Sequence, residues 1–180
     1  MTGTINFDYD TEYDLYVSDP VAVPQLGISS TTFRFEKELV DTAGLPRIRA
    51  AIDALRSSTT DLIVQATPYV YQLYKLYFDM ADKYDWEQYL PDLPEAEVWN
   101  LVNEVGSWCT VVREDDHVLI AVECDVEWDV EHGMMMVYRD GATLVKVGSA
   151  AEAYTNVDGS IFGEEGGSPC RNAPLVRFED

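Results

Sequence analysis

Between residues 107 and 148 the chain switches between apolar and polar side chains at every second position, and no other feature restricts its fold as much. In "HVLIAVECDVEW", Val118, Ile120, Val122, Cys124, Val126 and Trp128 fall on one side. Leu119, Ala121, Glu123, Asp125, Glu127 and Asp129 fall on the other. That period belongs to a strand with one face on a core and the other in water. "SWCTVVRE" precedes it across "EDDH", and "MMMVY" is followed by "TLVKVG" across "RDGA", whose Asp-Gly is a strong hairpin signal. The spacing therefore predicts a four-stranded antiparallel meander over about 107–148.

The segment before it repeats at helical spacing. In "LPRIRAAIDALRS", Pro46 suits the first turn of a helix, and Ile48, Ile52 and Leu55 share a face. A second helix starts near "STTD", with Ser58, Thr59 or Thr60 as cap, and runs to about Tyr84. Pro68 should kink or divide it. Beyond Pro68, Val70, Leu73, Tyr74, Tyr77, Phe78 and Ala81 form an apolar stripe that reads as core. A short third helix begins near Pro94. Ile5, Phe7 and Tyr9, and again Phe33 and Phe35, suggest short strands, with "SDPVAVPQLG" as an edge or loop between them. These elements imply an α+β fold: helices at about 43–103 packed on one face of the sheet, in a single domain over 1–157. The Gly/Ser/acidic tail, 158–180, is expected on the surface.

Charge narrows the partners. Twelve basic and 33 acidic residues give a net charge of −21 over 180 residues. A field of that sign repels phosphate backbones and anionic lipid and attracts a cationic partner. Direct nucleic-acid or membrane binding is not expected. "MTGTINFDYD" has neither the basic nor the apolar region of a secretory signal, so the expected location is cytoplasmic. Cys109, Cys124 and Cys170 lack a CxxC spacing and suggest buried free thiols; Cys109 and Cys124 come close across the first hairpin.

Three readings fit the acidic row Glu123, Asp125, Glu127, Asp129 and Glu131. It is a solvated face, a docking face for a basic protein, or a divalent-cation site. Hard cations need converging oxygens, whereas same-face carboxylates on a strand stand about 6.5–7 Å apart in line. Arg113 and Lys146 on neighbouring strands, and Arg139 in a turn, are too few to neutralise the row. His132 and His117 are the only histidines, and neither has zinc-site spacing. A Cys124–His132 pair with Glu131 would make a catalytic or metal site, yet an extended strand would hold them about 26 Å apart. The simpler alternative is a bend at Glu131-His132-Gly133, with Gly133 taking the unusual backbone angle. No cofactor motif is present, and Trp128 reads as a core anchor.

"ATPYVYQLY", "EVWNLV" and "VECDVEWDVEHGMMMVYRDGATLVKVG" together resemble a family of bacterial proteins known only as a domain of unknown function. Its members carry Thr-Pro-Tyr-Val-Tyr on a helix and a strand ending Trp-x-x-Glu-His-Gly, here Trp128, Glu131, His132 and Gly133. Asp140-Gly141 and Lys146-Val147-Gly148 match as well, and the likeness covers about residues 20–157. Members often place a second cysteine where this chain has Val126, so a paired-cysteine metal site would be incomplete. The resemblance implies no activity; some relatives are linked with toxin systems as candidate immunity proteins. With the charge, it suggests a small non-catalytic protein that binds a basic partner such as a toxin. The alternatives are an enzyme or metal site at His132, Glu131 and Cys124, and an acidic mimic of nucleic acid.

Overall fold

The structure, a computed structural model, describes residues 4–84, 90–156 and 158–162. Strands β1 (Phe7–Asp10) and β2 (Leu15–Ser18) form a hairpin. A separate small hairpin, β3 (Val21–Val23) and β4 (Ile28–Thr31), follows around a 3-10 turn, and then β5 (Phe33–Glu36). Three helices come next: α1 (Lys37–Thr42), α2 (Leu45–Arg56) and α3 (Leu62–Tyr84). A 3-10 helix, Glu95–Leu101, replaces the expected third helix. It leads into β6 (Val102–Glu114), β7 (His117–Val126), β8 (Asp129–Arg139) and β9 (Thr143–Ser149). The main sheet has the order β1-β2-β5-β6-β7-β8-β9, antiparallel except where β5 runs parallel to β6. The fold is therefore α+β, and β1, β2 and β5 from the first forty residues complete the same sheet, while β3 and β4 stand apart from it. No helix among the described residues is long and apolar enough to cross a membrane.

Helix α2 buries Ile48, Ala51, Ile52 and Leu55, one stripe at the 3.6-residue period. The cap of α3 is Asp61, whose Oδ1 accepts the Val64 N–H at 3.0 Å; the expected Ser58, Thr59 and Thr60 lie outside that role. Pro68 does not divide the helix. The predicted stripe is buried at Val70, Leu73, Tyr74, Tyr77 and Ala81, and packs on the sheet. Trp128 anchors this core, edge-on to Tyr74 with ring centres 5.5 Å apart.

The meander has its four strands, but one turn is displaced. The long strand does not run on to Asp129. It stops at Val126, turns at Glu127-Trp128 and returns with Asp129 opposite Val126. The acidic row is thus broken: Glu123 and Asp125 lie on β7, Glu127 in the turn, and Asp129 and Glu131 on β8. The other turns sit where expected. Asp140 and Gly141 both have positive φ, 50° and 71°. A Cβ on Gly141 would stand 1.8 Å from the Ala51 carbonyl oxygen of α2, so only glycine lets helix and turn meet.

Nor is the outer face of the sheet simply wet. Leu119, Ala121, Met135 and Val137 form a second apolar cluster on it, covered by Ala150 and Tyr154 from the segment after β9. Lys146 belongs to this covered half rather than to the acidic cleft. Its side chain is 1% exposed, with Nζ 2.8 Å from Glu152 Oε2 and donating to the Ala153 carbonyl at 2.7 Å. Arg113 is likewise occupied, by the Asp115 carbonyl at 2.6 Å and Asp116 at 3.3 Å. Of the expected loose tail, Ile161 is fixed at the edge of β9, where its carbonyl accepts the Val147 N–H at 3.0 Å. Residues 163–180, including Cys170, lie outside the described residues.

Candidate functional site

Where β7 turns into β8, a cleft of about 390 Å³ opens between that hairpin and the first half of β6. Three register slips border it, the first between Val102 and Glu104 at the lining residue Asn103. The register of β6 against β7 slips between Val105 and Trp108, next to Gly106 with φ 75°. That of β7 against β8 slips between Cys124 and Val126. Gly133, with φ 72°, faces the third slip. A Cβ there would come within 2.6 Å of the Cys124 carbonyl oxygen, so glycine closes this wall as expected, though inside β8 rather than in a bend.

Four of the five acidic residues of the expected row line the cleft: Glu123, Asp125, Asp129 and Glu131. Glu127 does not; it stays exposed in the turn, its N–H bonded to the Leu101 carbonyl at 2.9 Å. Glu123 accepts from Thr110 Oγ1 at 3.0 Å. Asp129 is turned inward. It accepts from the Tyr77 hydroxyl at 2.6 Å and from the His132 backbone N–H at 3.1 Å, and lies 3.0 Å from His132 Nδ1. Burial, then the bond to Asp129, pushes the Tyr77 phenol far above its ordinary range and keeps it a donor. Among the described residues no lysine or arginine lines the cleft, while Trp108, 49% exposed, and Val130, 79% exposed, do.

His132 and Cys124 line the same cleft, because the turn at Glu127-Trp128 folds back the strand that would have kept them apart. They do not form a nucleophile–base pair. Cys124 is buried among core residues, its Sγ directed to the Val122 carbonyl at 3.8 Å, and burial lifts its thiol to about 12. Cys109 is buried too, its thiol also lifted to about 12 by burial. The two thiols are free, with Cys109 opposite Val122 and Cys124 opposite Val105. The ring of His132 is held by Asp129, not Glu131.

A matching clamp closes the turn between β8 and β9. There His117 Nδ1 lies 2.7 Å from Asp140 Oδ2, and Asp140 Oδ1 accepts the Val118 N–H at 3.0 Å. Both histidines therefore pair with an aspartate at a hairpin end, an arrangement that can fix a turn. Among the described residues no group of three His, Cys, Asp or Glu side chains could hold a metal ion.

The exposed apolar members of the cleft went unnoticed in the sequence. Trp108 alternates with the buried Cys109, so the period-two pattern already placed it on the outer face. Val130 lay hidden inside the supposed continuation of β7. No curated protein and no solved structure matches the chain. A family model, "Domain of unknown function (DUF6985)", matches residues 1–154, and the chain belongs to that family.

Proposed function

We propose that the protein is a non-catalytic binding protein that takes a basic segment of a partner protein into the acidic cleft, in the manner of an immunity-type inhibitor of a toxin. One observation carries the reading: four carboxylates meet two exposed apolar side chains around one concavity that no lysine or arginine lines among the described residues. Carboxylates at such a surface steer a cationic partner and set its register, and the exposed Trp108, whose ring already carries the Arg34 guanidinium, adds apolar contact area. The net charge of −21 adds a long-range pull on the same kind of partner.

Two other readings fare less well. Acid–base chemistry at His132 has Asp129 to orient the ring, but the same clamp at the solvent-exposed His117 and the buried Cys124 weigh against it. A nucleic-acid mimic calls for carboxylates along a convex edge, whereas these surround a hollow.

The test is co-purification with the product of the adjacent gene at low ionic strength. The double variant D125K/E131K is compared with D8K/E12K, which changes net charge equally at exposed sites on and beside β1. Capture should fall at least tenfold for the cleft variant and far less for the control. Equal losses would reduce the cleft to part of a diffuse acidic surface.

A further inference from the structure

The outer face of the sheet has an uncovered half beyond Trp108, and it holds a cation, Arg34, whose Nε has no bonded acceptor among the described residues. Arg34 lies on β5, between Val17 of β2 and Thr110 of β6, in the middle of the sheet. Its guanidinium stacks on Trp108, with the central carbon 3.4 Å from the ring centre. The stack uses the face of the guanidinium and leaves its N–H edge for acceptors in the same plane. Arg34 Nε is buried, yet meets no acceptor among the described residues. Buried donors are nearly always satisfied, and a guanidinium cannot shed its charge. Beside it runs a groove of about 430 Å³ with Leu15, Val112 and the half-buried Tyr154 among its walls. That volume lies in the range of small-molecule sites.

We propose that this groove binds a small monocarboxylate with an apolar body, its carboxylate in the plane of the Arg34 guanidinium and its body along Leu15, Val112 and Tyr154. The charges around it select the ligand. Glu36 and Glu38 line the same groove, its second cation, Arg113, is held by Asp116, and the molecule carries −21, so a phosphate or other polyanion meets repulsion that Arg34 does not offset. A single carboxylate gains the two-point guanidinium contact, and the apolar body supplies the rest of the affinity. This site meets the acidic cleft at Trp108, which lines both, but its carboxylate contact is at Arg34 and does not depend on partner capture.

Titration of the full chain with hexanoate, hexanamide and inorganic phosphate, followed by amide and indole NMR shifts, tests the proposal. Hexanoate should saturate signals at Arg34, Trp108 and Thr110. Hexanamide should bind at least tenfold more weakly, and phosphate should leave those signals unmoved. Arg34→Met should erase the preference for hexanoate over hexanamide while the remaining spectrum stays native; Arg34→Gln serves if that variant does not fold. Equal binding of hexanoate and hexanamide by the unaltered protein, no binding of either, phosphate binding as well as hexanoate, or a preference surviving in a folded Arg34 variant would each overturn it.

Discussion

Two cations share the outer face of one sheet and meet opposite treatment. Lys146, on β9, is closed off from water, paired with Glu152 and bonded to the Ala153 carbonyl, under a segment that also covers Leu119, Ala121, Met135 and Val137. Arg34, on β5, lies beside an open groove, stacked on Trp108, with its Nε unbonded among the described residues. Taking a charge out of water costs several kcal/mol unless the surroundings return it in full. At Lys146 they do, so that half of the face is structural. At Arg34 the return is left for a molecule outside the chain.

The comparison breaks most readily at Glu152. Glu152→Ala leaves Lys146 inside the protein with a carbonyl alone, and unfolding in urea should show a loss of about 3–5 kcal/mol. Replacing both partners, in K146M/E152L, should be neutral or stabilising by up to about 4 kcal/mol on the same scale. A loss under about 1 kcal/mol in E152A would mean that the pair is solvated after all. Gly148→Ala tests the same half from below. Its Cβ would stand 2.8 Å from Glu152 Oε2 and 2.9 Å from Lys146 Cε, so the pair must shift, at about 1–3 kcal/mol by the scale of overpacked cores. The counterpart on the open half, Arg34→Met, forfeits a stack worth about 0.5–1 kcal/mol and relieves an unbonded donor, so its midpoint in urea should hardly move. A large destabilisation there would make Arg34 structural, like Lys146.

Asp140 gives the smallest effect and a reference in water. Burial raises its pKa, but the bonds from His117 and the Val118 N–H, with the charges of His117 and Arg47, outweigh that and set it below the ordinary carboxylate value. A folded pKa below the unfolded one means stability that is present above the unfolded value, about 3.9, and is lost as pH falls through the folded one. Asp140→Asn should therefore flatten the acid limb of stability against pH below about 4. An unchanged limb would show that the clamp is not formed.

Much of this was legible in residue order. The stripe from Val70 to Ala81, the pairing of Pro46 with Ile48 and Leu55, and the Asp-Gly turn each announce themselves through local periodicity or backbone demand. The turn at Glu127-Trp128 does not. Neither residue takes positive φ, so no Gly, Asn or Asp marks it, and a bulge between Cys124 and Val126 adjusts the register instead. Alternation alone ran past it and lined up carboxylates that the chain gathers around a cleft. Lys146 misled for a related reason: period two places it on the outer face but says nothing of what later covers that face. Arg34 drew no notice, because its stack joins residues 74 apart in sequence.

The parallel contact between β5 and β6 also sets an order of events. Phe33 and Arg34 align with Cys109 and Thr110, so β1, β2 and β5 leave the ribosome well before the strand that will hold them. Until then Phe33 and Phe35, both fully enclosed in the finished protein, present a sticky flank to the nascent chain's surroundings. Substitutions that slow completion of the second half should therefore surface as aggregation seeded by the first.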